Sequence, residues 1–487
     1  MILINYIEQK KFFTPKEKTV PLFAGQRGSI GKIIFTLFLL ISISPSLVAQ
    51  QQAEVMQAAD VIKLVMSSNF DVLLAKNNAQ IAKNNNNIGL VGGSQSTGGT
   101  VSGGNTGMLP QISVQAGSPQ NPLGIGQTIT TLRYSNPSLN VNQQKLTTTN
   151  YAPSIVGTWY FFDGLKMFAT KKKLNRNEEL SNLQYRQTVE TALINALDAY
   201  YQMISIQENI KSLQVSLDIA SEQKKLSEDK LKAGTGSNVD VLQTQIDFNN
   251  IQVQIIQQQN LLNEQKVNLN NLVKRPPETD FSVPDTIIIQ TTPEYNLAVE
   301  NVDKSNSLVL IGKKTIEIDE LGLKEFRANR FPKIGVTGNY TISRTTNDIG
   351  LVRLNQNSGY NAGLIFSWTI LNNLTTQTAI KNQTVTLNSD NLRLEAARLQ
   401  EKSNLFKAYF NFKNNLTIME IEKQSMDLAQ QNLAIAAQRF KLGLSNYVEY
   451  RTVEQSYETT VYRHSQASYE TKLSELNYLR AQGLLVR

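Results

Sequence analysis

The chain has 487 residues, of which 40% are hydrophobic and 18% charged, and it contains no Cys. That excludes a disulfide framework, a thiolate metal site and a lipid-bearing Cys behind a signal, and the negative mean hydropathy of -0.28 argues against a bundle of transmembrane helices. The formal net charge is +8, but residues 1–49 carry six Lys/Arg and two Asp/Glu, so the remainder holds 42 basic against 38 acidic groups, too small an excess to imply nucleic acid.

In chain order, residues 33–43 are an apolar run of 11 behind Lys32, closed by Ser44-Pro45 and Ala49. The run is too short to cross a bilayer as a helix and has the form of a secretory signal cleaved after Ala49. Residues 1–31 form an atypical extension in front of it and suggest a start downstream of Met1.

The rest reads as a duplicated unit. Trp159 in "VGTWYFFDGL" and Trp368 in "IFSWTILNNL" are the two Trp of the chain and lie 209 residues apart. A helix break repeats at the same offset, "KLKAGTGSNVDVLQTQ" near 232 and "RFKLGLSNYVEYRTVEQ" near 441, pairing Gly234 with Gly443 and Asp240 with Glu449. Agreement at two distant landmarks indicates an internal repeat. The expected division is a first repeat over 50–277, a Pro-rich linker over 278–293 and a second repeat over 294–487.

Each repeat opens with a shorter helical stretch, about 54–87 and 294–328. A Pro then introduces alternating segments, "LPQISVQAG" and "APSIVGTWYFF" in the first repeat, "FPKIGVTGNYTIS" and "YNAGLIFSWTIL" in the second, which read as two strand hairpins with long polar loops. Pro110 and Pro332 differ by 222, so the first loop is 13 residues longer. Residues 84–107, rich in Gly, Ser and Asn, read as a flexible insert. After each hairpin comes a long run free of Pro and Gly, about 165–232 and 374–441, then the break, then about 239–274 and 447–482. As helices these measure about 100 Å and about 50 Å. The long helix needs more cover than its returning partner supplies, and the short helix at the start of the repeat has about the missing length.

In the first returning helix Val241, Phe248, Ile255, Leu262 and Leu269 recur every seven residues, and Val239, Ile246 and Val253 with Leu242 and Ile256 form a second seam. Two seams imply two neighbours, as in a curved wall; a compact soluble bundle is the competing architecture. Four strands cannot close by themselves, and a sheet in lipid must close, so closure requires several copies, two giving eight strands and three giving twelve.

The duplicated strand ends "WYFFDG" and "WTILNN", the two breaks and the order of helices and strands resemble the TolC-like outer-membrane efflux protein family over nearly the whole mature chain. The resemblance implies a mainly α fold with a β-barrel part, built as a homotrimer: twelve strands in an outer-membrane barrel, and long antiparallel helical hairpins forming a periplasmic tunnel. It also implies that the breaks form the periplasmic tip, where a periplasmic adaptor from an inner-membrane pump docks. The tip motif falls on Gly234, Thr235, Gly236 and Ser237 and on Gly443, Leu444 and Ser445. Asp240 and Glu449 are candidate gate acids; a further acidic position one turn later falls on Thr452, a departure from the family pattern.

The same residues have plain structural roles. Gly234 and Gly443 follow basic helix ends, as C-terminal glycines do. Ser237 with Asp240 and Asn446 with Glu449 have capping-box spacing. His464, the one His, lies on a helix seam, where packing is expected rather than metal binding. Gly-Thr-Gly-Ser lacks the strand and Lys-Ser/Thr of a phosphate loop, and no nucleophile and base share recognisable spacing. The expectation is a conduit without chemistry or cofactor, passing small molecules by means of a partner pump. A polypeptide secretion duct and a non-pore coiled-coil scaffold are the alternatives.

Overall fold

A computed structural model describes residues 55–87, 94–95, 101–102, 108–115, 125–133, 143–348, 352–442 and 444–486. The expected signal, most of the 84–107 insert and Gly443 lie outside them. Eight helices are described: α1 Ala58–Ser68, α2 Phe70–Asn85, α3 Lys166–Lys232, α4 Asn238–Leu272, α5 Tyr295–Ser305, α6 Ser307–Ala328, α7 Thr375–Lys441 and α8 Tyr447–Ala481. The long helices α3 and α7 both have 67 residues and the returning helices α4 and α8 both have 35, each pair offset by the repeat distance of 209. None is long and apolar enough to cross a membrane among the described residues.

The helices stand side by side in a wall. α3 packs on α4 and α2 along one flank and on α8 and α6 along the other, while α7 packs on the far sides of α8 and α6. Thus α4 with α2, and α8 with α6, each make one column that matches a long helix in length. α1 and α5 lie against α3 and α7 at mid-height, where Val61, Val65, Leu197, Tyr200 and Met203 form the largest core. Phe281 and Val283 from the expected linker enter the same core.

The opening helical stretch of each repeat is broken in two, which sequence periodicity did not anticipate. The break falls at Asn69 and Asn306, and each asparagine acts twice. Asn69 Oδ1 accepts from the amides of Asp71 and Val72 at the start of α2, while its Nδ2 donates to the Leu272 carbonyl at the end of α4, 2.8 Å away. Asn306 repeats the arrangement: Oδ1 takes the amides of Leu308 and Val309, and Nδ2 donates to the Ala481 carbonyl ending α8 at 3.2 Å. One amide side chain satisfies donors of an incoming helix and an acceptor of an outgoing one, groups that burial would otherwise orphan.

The sheet has four strand columns, in the order β3/β4, β6/β5, β7, β8. β3 Gln111–Gln115 pairs with β6 Ser154–Phe162, and β4 Ile125–Arg133 with β5 Gln143–Tyr151. β6 and β5 run end to end along β7 Lys333–Asn347, whose other side pairs with β8 Leu354–Ser367. The expected "long polar loop" of the first repeat is therefore largely strand: both strands of that hairpin continue past 116–124 and Pro153 as β4 and β5. Threonine and glutamine, not apolar alternation, fill β5, which is why the pattern hid it. A two-residue pair, β1 Ser94–Gln95 with β2 Val101–Ser102, lies inside the Gly/Ser/Asn-rich segment.

At the junctions of sheet and wall two consecutive residues take positive φ: Gly164 (73°) and Leu165 (67°) before α3, Asn373 (52°) and Leu374 (61°) before α7. A leucine is strained there, and its recurrence 209 residues on marks it as part of the architecture. Toward the sheet end of α7, Asp319 of α6 faces Asp390 of α7; burial and then this neighbouring carboxyl push Asp319 up to about 6.

Replacing Asn306 with Ala is expected to destabilise the protein by about 1–3 kcal/mol, the sum of a lost cap and an orphaned carbonyl. Thermal or guanidinium unfolding in detergent measures it, and a change under about 0.5 kcal/mol would remove the joint from this account.

Candidate functional site

Two surfaces carry the functional features: the sheet faces and the hairpin tips. On the sheet, alternate residues differ in kind. Ile112, Val114, Ile155, Trp159, Phe161, Tyr340, Ile342, Tyr360, Leu364 and Phe366 are exposed on one face. The register places Asn339 opposite Asn361, Thr341 opposite Ser154 and Val156 opposite Asn339, so the other face is mainly hydroxyl and amide. A sheet that exposes aromatic and aliphatic side chains on one face and polar groups on the other fits lipid outside and water inside. Among the described residues, the columns β3/β4 and β8 each pair on one side only.

At the first tip, Gly234 has φ +75° and its amide donates to the Leu231 carbonyl, while the amides of Thr235 and Gly236 both reach the Lys230 carbonyl at 3.0 Å. Positive φ lets the chain wrap over the end of α3. A Cβ at Gly236 would lie 2.8 Å from the Leu231 nitrogen, so this position also needs glycine. Ser237 caps α4 by accepting from the Val239 amide at 3.2 Å. The Asp240 side chain is exposed and does not return the bond; it lies in the first turn, where its charge suits the helix dipole.

At the second tip, the Leu444 amide donates to the Arg439 carbonyl at 2.9 Å, and Leu444 is two-thirds exposed. Ser445 has its hydroxyl oxygen buried, without a hydrogen-bond partner among the described residues. Asn446 caps α8 through the Glu449 amide at 2.8 Å, but the Glu449 carboxylate turns away from the cap and meets Arg439 of α7 at 3.3 Å. So at both tips the capping residue works while the reciprocal half of the expected box is missing. With both partners about half exposed, the Arg439–Glu449 pair adds at most about 1 kcal/mol. Thr452 returns its hydroxyl to the Val448 carbonyl at 2.8 Å.

One turn further in, the two hairpins are tied together. Tyr447 of α8 donates its hydroxyl to Asp247 of α4 at 2.7 Å, and Gln243 donates to the other Asp247 oxygen at 3.2 Å. Burial, then the neighbouring carboxylate, raises the Tyr447 hydroxyl well above its ordinary range, so it stays a donor. Tyr450 stacks on Phe440 with ring centres 5.3 Å apart, and Lys230 of α3 lies 5.5 Å from the same ring centre. Beside them Arg451 binds Glu454 at 2.7 Å and Glu458 at 3.2 Å in a buried cluster, with Glu454 Oε1 left without a partner and its carboxyl raised by burial. Asp247, Tyr447, Arg451 and Glu454 were not singled out from sequence. Their signal is a carboxylate within a buried helical row: Asp247 lies between Thr244 and Ile251, Glu454 between Tyr450 and Val461.

His464 lies between α8 and α3, with Nδ1 3.9 Å from Glu208, and no metal-ligating group of three is formed among the described residues.

Residues 104–273 and 323–483 match the family model described as outer membrane efflux protein. Solved outer-membrane channels share the fold at low identity. CmeC of Campylobacter jejuni superposes with a TM-score of 0.70 at 12% identity over 88% of this chain and 86% of its own. VceC of Vibrio cholerae gives 0.66 at 13% over 88% and 96%. The open state of MtrE from Neisseria gonorrhoeae gives 0.59 at 13% over 88% and 90%. No curated protein matches the sequence.

Replacing Tyr447 with Phe keeps the ring against Phe440 and removes the bond to Asp247. A single hydrogen bond to a charged group is worth about 1.5–3 kcal/mol, so cleavage by a lysine-specific protease at Lys230, Lys232 and Lys441 is expected to quicken about tenfold or more. Unchanged cleavage would mean the tie does not hold the tips.

Proposed function

Since the chain belongs to the outer membrane efflux protein family, and so serves efflux at the outer membrane with a helical tunnel on the periplasmic side, we propose that three copies close into one passive exit duct for small molecules. The observation that carries the trimer is that both flanks of the wall and both edges of the sheet are unpartnered in one copy. Along α7, Val385, Leu392, Leu399 and Phe406, then Ile421, Leu428, Ile435 and Leu442, recur every seven residues and are exposed. Along α4, Val239, Ile246 and Val253 with Leu242 and Ile256 are exposed likewise, the second seam expected from sequence, whose neighbour is absent from the single chain. The first seam packs on α3 through Ile255 and Leu269. A different surface on each flank makes a head-to-tail contact, which generates a ring. Each sheet edge left in lipid would cost several kcal/mol per unpaired group. Four strand columns and four helix columns per copy give twelve of each.

The polar face of the sheet then lines the pore, and the tips carry the constriction. Asp240, Glu449 and the Tyr447–Asp247 tie are its elements: exposed carboxylates repeated threefold about an axis favour cations. Gly234, Thr235, Gly236, Ser237, Gly443, Leu444 and Ser445, at the ends of the hairpins, are the surface for a periplasmic adaptor, and the energy comes from an inner-membrane pump. The solved relatives are named as outer-membrane channels, which favours a pore over a scaffold protein. The pump decides between small molecules and polypeptide.

Membrane fractionation with an unboiled gel tests the assembly: an outer-membrane band at three times the chain mass that collapses on boiling is expected, and a soluble monomer would overturn it. For the gate, Glu449→Ala frees Arg439 and removes three negative charges from the trimer, so planar-bilayer recordings are expected to show reduced preference for cations over anions. Unaltered selectivity would leave Glu449 with no part in the gate.

A further inference from the structure

We propose that the exposed helix faces just below the sheet form a basic collar that holds the phosphate groups of anionic phospholipid in the membrane leaflet on the periplasmic side. The inference rests on the sheet being the membrane part. It starts from a stripe that recurs in the two long helices. Leu165 opens α3 and Leu374 opens α7, each 61% exposed, and seven residues on, Lys172 and Lys381 are exposed, Lys381 one turn before the seam that begins at Val385. Seven residues bring a side chain back to the same helix face about 10 Å further along the axis. Phe168 lies between Leu165 and Lys172 on that face and is half exposed. The third column runs the other way with the same order: Phe331 is exposed at the sheet, Arg327 one turn away and Lys324 beyond it.

Apolar side chains nearest the sheet, followed by cations within two turns, are the order in which a leaflet presents its own layers, acyl chains and then phosphate. Lysine and arginine reach that level by laying their stems along apolar surface. The outward orientation comes from Trp368, which continues the apolar face of β8 and donates to the Arg330 carbonyl at 3.1 Å. That bond brings the Arg330 backbone beside the apolar face, and the residue is exposed. Charge pairing separates the collar from its neighbours. Lys173 binds Glu325 at 2.9 Å and Arg176 binds Glu317 at 2.8 Å, whereas Lys172, Lys381, Arg327 and Arg330 have no carboxylate partner among the described residues. The exposed acid of the α6 stripe, Glu320, lies a further turn from the sheet than Lys324. Unpaired cations beside an apolar belt fit a diester phosphate anchored in lipid, and the strained leucines supply the anchor's apolar contact.

The test uses the intact trimer extracted in detergent and offered phosphatidylglycerol or phosphatidylethanolamine, with bound lipid counted by native mass spectrometry. Phosphatidylglycerol is expected to be retained in preference, with a Lys172→Gln, Lys381→Gln, Arg327→Gln, Arg330→Gln variant losing that preference about fivefold or more. The variant with Lys172→Arg and Lys381→Arg is expected to keep it. Equal retention of the two lipids by the unaltered protein, or unchanged preference in the Gln variant, would overturn the collar. So would full displacement of the lipid by inorganic phosphate, because that describes a soluble-anion site facing the lumen. An unboiled gel of the same samples shows whether the trimer stands, so failure of the collar is separable from failure of the channel.

Discussion

A helix of 67 residues with apolar flanks has to be covered along its full length, and a returning helix of 35 residues covers about half of it. The wall meets the constraint by laying two helices end to end against each long one. Such a joint brings an amino end and a carboxyl end together in a buried place, where four amides and four carbonyls lose their partners. Asn69 and Asn306 fit this position because an amide side chain both accepts and donates. Serine, threonine or aspartate could cap the incoming helix, but none could also reach across with an N–H to the outgoing carbonyl. The joint lets two helices act as one column against each long helix.

Much of this architecture is written in the sequence as lengths. The bounds of the long and returning helices follow from the Pro- and Gly-free runs and the break at 209 residues, because helix length is a local property and the repeat states it twice. The asparagine joint escaped for the opposite reason. Asn69 and Asn306 lie 237 residues apart, displaced from the repeat offset by the longer insert and loop of the first repeat, so alignment at 209 does not superpose them. At the tips, local signals such as Gly234 and the capping Ser237 and Asn446 are legible. The tie between Tyr447 and Asp247 is not, since it joins two hairpins whose relative placement no local rule determines. The capping boxes show the limit from the other side: correct spacing allowed the reciprocal bond, and Glu449 instead found Arg439 across the hairpin.

The tips hold an unusual amount of buried charge. Asp247, Glu454 and Arg451 are removed from water a short distance from the exposed end of the molecule, and the unpartnered oxygen of Glu454 and the unpartnered Nε of Arg451 leave desolvation incompletely offset. An apolar cluster of the same size would hold the hairpins together more firmly. If the tips separate in the proposed channel, a polar cluster suits them, because the freed groups regain water. The largest core of the wall lies at mid-height, around Tyr200 and Met203, away from the tips.

Closure of the proposed trimer would impose a mismatch that the junction residues are placed to resolve. Strands about 4.8 Å apart and tilted by about 40° give twelve of them a perimeter of about 75 Å. Twelve helices about 9 Å apart need about 110 Å. The same number of columns therefore occupies a wider ring in the wall than in the sheet, and each chain must step outward where strand becomes helix. Two consecutive residues of positive φ, Gly164-Leu165 and Asn373-Leu374, turn the chain there. The leucine that makes the step is exposed in each repeat. Strain in the backbone, the exposure of an apolar side chain and the change of perimeter thus coincide at one place in each repeat.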